Sequence, residues 1–155
     1  MSSTKQARYH FIGIGGVGMG TLASLIIAKG NKVSGSDVKE SAMTKKLRQQ
    51  GAQIAIGHDR KNIQGADFIV YSSAIALDNP EIAAARESEI PVLQRAQLLA
   101  KIMEYQIGIT IAGAHGKTTT TSMVSQLFMK AGLNPTTAIG GIVKHLGGLT
   151  AIGCS

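Results

Sequence analysis

Cysteine is almost missing from this 155-residue chain, with Cys154 the single example. One thiol cannot build an internal disulfide framework, and such sparing use is compatible with a reducing compartment. Aromatic residues reach only 4%, so the stacking platforms expected of a nucleic-acid binder are lacking. No Cys/His cluster has metal-ligand spacing, which argues against a structural zinc site. No low-complexity tract occurs, and no apolar run is long enough to cross a bilayer. Lys5 and Arg8 precede an apolar stretch in weak imitation of a signal peptide. The five glycines between Gly13 and Gly20 spoil that stretch, and Lys29 interrupts any span. Acidic residues are also few, 9 against 16 basic ones, for a net charge of +7. The basic residues are scattered, so phosphorylated small molecules fit better than DNA or RNA. These absences describe a soluble cytoplasmic protein without nucleic acid as its partner.

What is present is glycine, 19 residues of it, within a chain that is 44% hydrophobic. Residues 1–7 read as a frayed leader. Apolar runs predict strands over 9–14, 32–36, 53–56, 67–72 and 91–93, with a further buried strand over 107–112. Between them lie predicted helices over 18–29, 44–50, 80–89, 96–104 and 122–131. Met19, Leu22, Ala23 and Ile26 recur at helical spacing in the first, and Asn79-Pro80-Glu81 supplies an N-cap, a first-turn proline and an acid at the dipole's positive end. The methionines at 19, 103, 123 and 129 fit helix cores. Gly140-Gly141 and Gly147-Gly148 read as loop. Alternating strand and helix patterns predict a parallel sheet with helices on both faces, Rossmann-like in layout.

Two strand–turn–helix units carry glycine-rich turns. Gly13-x-Gly15-x-x-Gly18 has the dinucleotide-fold fingerprint: Gly13 for the turn, Gly15 for approach to a pyrophosphate, Gly18 for helix packing. Asp37 ends the next strand, where an acid meets a ribose hydroxyl. Ser72, Ser73 and Ala74 leave the fourth strand at its carboxyl end, where hydroxyls and amides can reach the same diphosphate or simply cap a loop. This turn does not distinguish NAD from FAD or a UDP-sugar. The second unit, Gly113-Ala114-His115-Gly116-Lys117-Thr118, is laid out as a phosphate-binding loop. Its amides and helix dipole converge on an anion, Lys117 adds a charge, and Thr118 offers a hydroxyl to Mg²⁺. General Walker A spacing asks for glycine at Ile111, and the first glycine is instead Gly113. His115, His58 and His145 read as loop residues. The hundred-residue separation of the two turns predicts one domain over 1–106 and a second, incomplete one over 107–155. The chain thus reads as part of something longer.

His10-Phe11-Ile12-Gly13-Ile14-Gly15-Gly16-Val17-Gly18-Met19-Gly20, Ser34-Gly35-Ser36-Asp37, Ser72-Ser73-Ala74-Ile75, Asp78-Asn79-Pro80-Glu81 and Gly113-x-His115-Gly116-Lys117-Thr118-Thr119-Thr120 follow one another in that order. On these motifs the chain closely resembles the N-terminal third of the bacterial Mur ligase family. Within it, Gly15 to Met19 is similar to the branch that adds L-alanine, and lacks the cysteine that the tripeptide-recycling branch carries in this loop. The family's shortened loop accounts for the missing Walker glycine; Ala114 departs from it, standing where the family has threonine. The resemblance implies UDP-N-acetylmuramate on the first domain, with Gly13, Gly15, Gly16, Val17, Gly18, Asp37, Ser72, Ser73 and Ala74 around its UDP. It implies ATP and Mg²⁺ at Gly113, Ala114, His115, Gly116, Lys117, Thr118 and Thr119, with Lys117 catalytic and Thr118 the metal ligand. An acyl phosphate attacked by L-alanine would follow, chemistry that needs positioning and charge neutralisation more than a protein nucleophile. The chain by itself is expected to be inactive. An NAD-dependent oxidoreductase and a non-catalytic UDP-sugar-binding module are the alternatives.

Overall fold

Alternation along the first strand sorts the interior into two cores. The computed structural model describes residues 6–104, 107–133, 135–143 and 148–151, with backbone alone for 140–143 and 148–151. Most of the expected leader, the boundary at Tyr105, and His145, Gly147 and Cys154 lie outside these residues. Strands β1 (Arg8–Ile12), β2 (Lys32–Asp37), β3 (Gln53–Ile56), β4 (Phe68–Tyr71) and β5 (Val92–Gln94) form one sheet in the order β3-β2-β1-β4-β5. Every pairing in it is parallel. Phe11 and Val70 face one side of the sheet, against α1 (Val17–Ala28), α2 (Ala42–Gln49) and α4 (Arg95–Met103). Ile12 and Ile69 face the other, against α3 (Pro80–Glu87) and a 3-10 turn at Arg60–Ile63. Phe11, Leu25, Leu47, Ile69 and Ile82 are fully buried, each contributing roughly 1.5–3 kcal/mol of transfer free energy. The expected parallel sheet with helices on both faces is therefore what the chain forms.

Helix α1 is buried further round than its apolar spacing predicts: every residue from Met19 to Ile26 is out of water. A helix covered on all sides needs neighbours beyond the sheet. The extra cover comes from β6 (Thr137–Val143), which pairs antiparallel with β7 (Gly148–Ala151). Thr21 of α1 donates to the Ile139 carbonyl at 3.5 Å. Strand β6 also meets α5 (Lys117–Lys130), where the Thr137 hydroxyl donates to Ser125 Oγ at 2.9 Å.

The structure departs from four expectations. Residues 107–112 form no strand, since a strand needs a ladder partner and no described segment supplies one; Ile107 is wholly exposed. Gly140 and Gly141 lie within β6, not in a loop, and the ladder is irregular between Ala138 and Val143, as glycines in a strand often mark. Of the four methionines only Met19 is fully in a core; Met103 is half-buried, Met123 is 60% exposed, and Met129 is exposed too. Helix α5 also starts at Lys117, earlier than its apolar residues suggest, because Gly116 caps it in a left-handed conformation (φ 78°) that glycine adopts without strain.

Candidate nucleotide-binding site

The switch point of the sheet lies between β1 and β4, the place where ligands of open parallel sheets bind. Ile12 is in register with both Ser36 and Tyr71, so the carboxyl ends of β1, β2 and β4 are flush there. Leaving β1, the chain turns at Gly13 (φ 79°), and the amides of Gly13 and Ile14 both donate to the Ser36 carbonyl, at 2.9 and 3.1 Å. The turn then feeds α1, whose N-cap Gly16 has no side chain with which to satisfy first-turn amides. Those amides, at Val17, Gly18 and Met19, are the donors a diphosphate would meet.

Asp37 sits at the end of β2 with Oδ2 accepting from the Gly15 amide at 2.8 Å. A Cβ on Gly15 would lie 2.8 Å from that oxygen, so the glycine is required by the acid beside it. Ser72 follows β4, donates its amide to the Ile12 carbonyl at 3.4 Å, and accepts from the Ala74 amide through its hydroxyl at 3.3 Å. A Cβ on Gly13 would come within 3.6 Å of Ser72 and 3.3 Å of Ile75. The structure therefore gathers Gly13 to Gly18, Asp37 and Ser72 to Ala74 at one sheet end. Sequence reasoning missed Arg95. It begins α4 directly after β5, and its guanidinium lies against the first turn of α1, where a Cβ on Gly18 would be 2.8 Å from Nη1. No carboxylate pairs with it among the described residues. A cation thus lies beside an uncapped helix start, a combination suited to a phosphate group. Its signal in the sequence was an arginine at the carboxyl end of a predicted strand.

Behind the turn lies a buried polar network, also unforeseen. Glu81, fully buried in the first turn of α3, accepts from Ser36 Oγ at 2.6 Å and Asn62 Nδ2 at 2.6 Å. His10 Nε2 approaches at 3.4 Å and the Asp59 amide at 3.3 Å. Burial alone would raise this carboxyl, but hydrogen bonds from His10, Ser36 and Asn62 outweigh it and hold the group at about 2. His58, expected on an exposed loop, is mostly buried, with Nδ1 3.0 Å from Ser36 Oγ. Since that hydroxyl gives its proton to Glu81, His58 Nδ1 is the donor. Among the described residues no group of three or more His, Cys, Asp or Glu side chains is arranged to hold a metal ion.

The second turn is exposed throughout. The ammonium of Lys117 folds back onto the carbonyls of Gly113 and Ala114, the latter at 3.2 Å. Gly116 offers α5 no capping side chain, so its first-turn amides face outward with Thr118 and Thr119. Thr121 and Ser122 return their hydroxyls to the carbonyls of Lys117 and Thr118, at 2.7 and 2.6 Å. His115 is exposed, as its loop position suggests. No hydrogen bond or ion pair among the described residues joins 113–119 to 13–18.

Residues 8–107 match the model of the Mur ligase family, catalytic domain. The chain belongs to the Mur ligase family. Among Mur ligases it is similar to the UDP-N-acetylmuramate–L-alanine ligase of Desulfosudis oleivorans, at 51% identity over 149 residues. That alignment covers 96% of this chain and 33% of the relative, so the chain spans about a third of its length. The crystal structure of UDP-N-acetylmuramate–alanine ligase from Thermotoga maritima superposes with a TM-score of 0.88 at 34% identity, over 94% of this chain and 35% of that one. The UDP-N-acetylmuramate:L-alanyl-γ-D-glutamyl-meso-diaminopimelate ligase of Neisseria meningitides gives 0.87 at 31%, over 94% and 46%. No helix of the described residues is long and apolar enough to cross a membrane.

Proposed function

We propose that this chain carries the UDP-sugar-binding and ATP-binding turns of a cytoplasmic UDP-N-acetylmuramate–L-alanine ligase, with residues 1–106 serving the first ligand and 107–155 opening the domain that serves the second. The observation that carries the reading is the pairing of two uncapped helix starts, each beside a cation: Arg95 at α1 and Lys117 at α5. A UDP-bearing sugar has its diphosphate at the amides of Val17 and Gly18 with Arg95 opposite. Asp37 and the Ser72–Ala74 segment flank it. ATP has its phosphates at the amides of 113–119, and Lys117 turns from the loop carbonyls to the phosphate oxygens. Thr118, exposed in the first turn of α5, fits a Mg²⁺ ion, a hard cation that takes oxygen ligands. Bound there, Mg²⁺ would neutralise phosphate charge. The residues of this chain bind and orient both ligands, and L-alanine is the expected acceptor.

Calorimetric titration of the chain with UDP-N-acetylmuramate, Mg-ATP and NADH separates the possibilities. Saturable binding of the first two supports the reading. Tight NADH binding with none of UDP-N-acetylmuramate would overturn it.

A further inference from the structure

Glu81 is the buried acid to which the binding reading gives no task. It lies behind the sheet's ligand-binding end, and its carboxylate gathers groups from four different segments: His10 of β1, Ser36 of β2, the Asp59 amide after β3, and Asn62 of the 3-10 turn. Ser36 is the informative partner. Its side chain is held from below by Glu81 at 2.6 Å, while its carbonyl holds the amides of Gly13 and Ile14 from above at 2.9 and 3.1 Å. One residue therefore links the buried acid to the first glycine turn.

We propose that Glu81 is a positioning residue for that turn, fixing Ser36 and through it the place where the amides of α1 meet a diphosphate. The inference rests on the reading that this turn binds a UDP-bearing ligand. An isolated surface acid could serve the α3 dipole equally well, but Glu81 is fully buried, with Asn79 capping its own amide at 2.9 Å. Both carboxylate oxygens are needed. Oε2 takes Ser36 and His10, Oε1 takes Asn62 and the Asp59 amide. Glutamine keeps the shape and loses one acceptor, so an NH₂ must face one of those donor pairs. His10 is fixed from its other side by Ser34 Oγ at 2.9 Å, and His58 closes on Ser36 Oγ, so neither can easily relax to compensate.

The test uses the 155-residue chain, with UDP as the probe, well below the unfolding midpoint. Wild type and Glu81→Gln are compared by calorimetry and by amide NMR. A folded Glu81→Gln with UDP affinity reduced about tenfold or more and with displaced Gly13 and Ile14 amide resonances supports positioning. A purely structural role lowers the melting temperature but leaves both readouts at wild-type values, and that outcome overturns the proposal. Should Glu81→Gln not fold, Ser36→Ala cuts the same link while keeping the carbonyl, and unchanged affinity and amide signals there overturn it equally. A wild-type chain that ignores UDP sinks the reading of the site. In that case displaced Gly13 and Ile14 signals in Glu81→Gln still uphold the link, and unmoved ones remove it.

Discussion

Replacing Lys117 by alanine tests the second turn most directly. The ammonium donates to the carbonyls of Gly113 and Ala114, and its side chain is exposed. Water can replace it there, so the change in folding free energy should stay within about 0.5 kcal/mol. Toward a nucleotide the loss is larger. Hydrogen bonds to a charged partner net about 1.5–3 kcal/mol, which corresponds to about 10- to 150-fold in Kd. Because the ammonium must first leave two carbonyls, the lower part of that range is expected, about tenfold. Titration with Mg-ATP, run beside urea unfolding of the same samples, reads both quantities. An affinity within about threefold of wild type refutes a phosphate-binding role. An equal loss in stability and affinity would instead mean that the side chain serves only to brace the loop.

Two further outcomes follow from distances at the first turn. Gly15→Ala puts a methyl 2.8 Å from Asp37 Oδ2 and 3.1 Å from Ser41 Oγ, so the Asp37 carboxylate must shift and its hydrogen bond from the Gly15 amide weakens. UDP affinity should fall about tenfold at a stability cost of about 1–2 kcal/mol; Asp37→Ala added to it should restore stability, and no recovery would contradict the crowding. The acid limb of stability reports on Glu81. Its folded value of about 2 lies below the ordinary 4.5, so the stabilisation is complete above the unfolded value and drains as pH falls from 4.5 toward 2. About 2 kcal/mol of it is lost between about pH 6 and about pH 3, read by urea unfolding at the two values. Glu81→Gln should flatten that limb, and parallel curves would exclude Glu81 as its source.

Local patterns made the sheet legible. Short apolar runs alternating with helical spacing, and a glycine turn between them, point to a parallel sheet almost by themselves, and β3 and α3 lie where the sequence puts them to within two residues. What local patterns cannot carry is partnership. Residues 107–112 have a strand's composition and no ladder neighbour among the described residues, whereas β6 has a loop's composition and pairs with β7. Glu81 shows the same limit at the level of one side chain. Its place after Asn79-Pro80 suggests a helix-dipole role, and nothing nearby in sequence announces that His10, Ser36 and Asn62 will surround it. Asp37 is legible as an end-of-strand acid, but its hydrogen bond from the Gly15 amide is not. Arg95 escaped because its neighbour, Gly18, is 77 positions earlier.

Strand β6, which touches both α1 and α5, bears on how the chain comes apart. Thr21, Leu22 and Leu99 border the same small cleft as Ala138 and Ile139, so the outer layer of the first sheet's core is supplied from more than a hundred residues downstream. A chain shortened to residue 106 would expose one flank of α1 to water and lose cooperativity as well as stability. The two halves should therefore melt in a single transition, not as independent modules joined by a hinge.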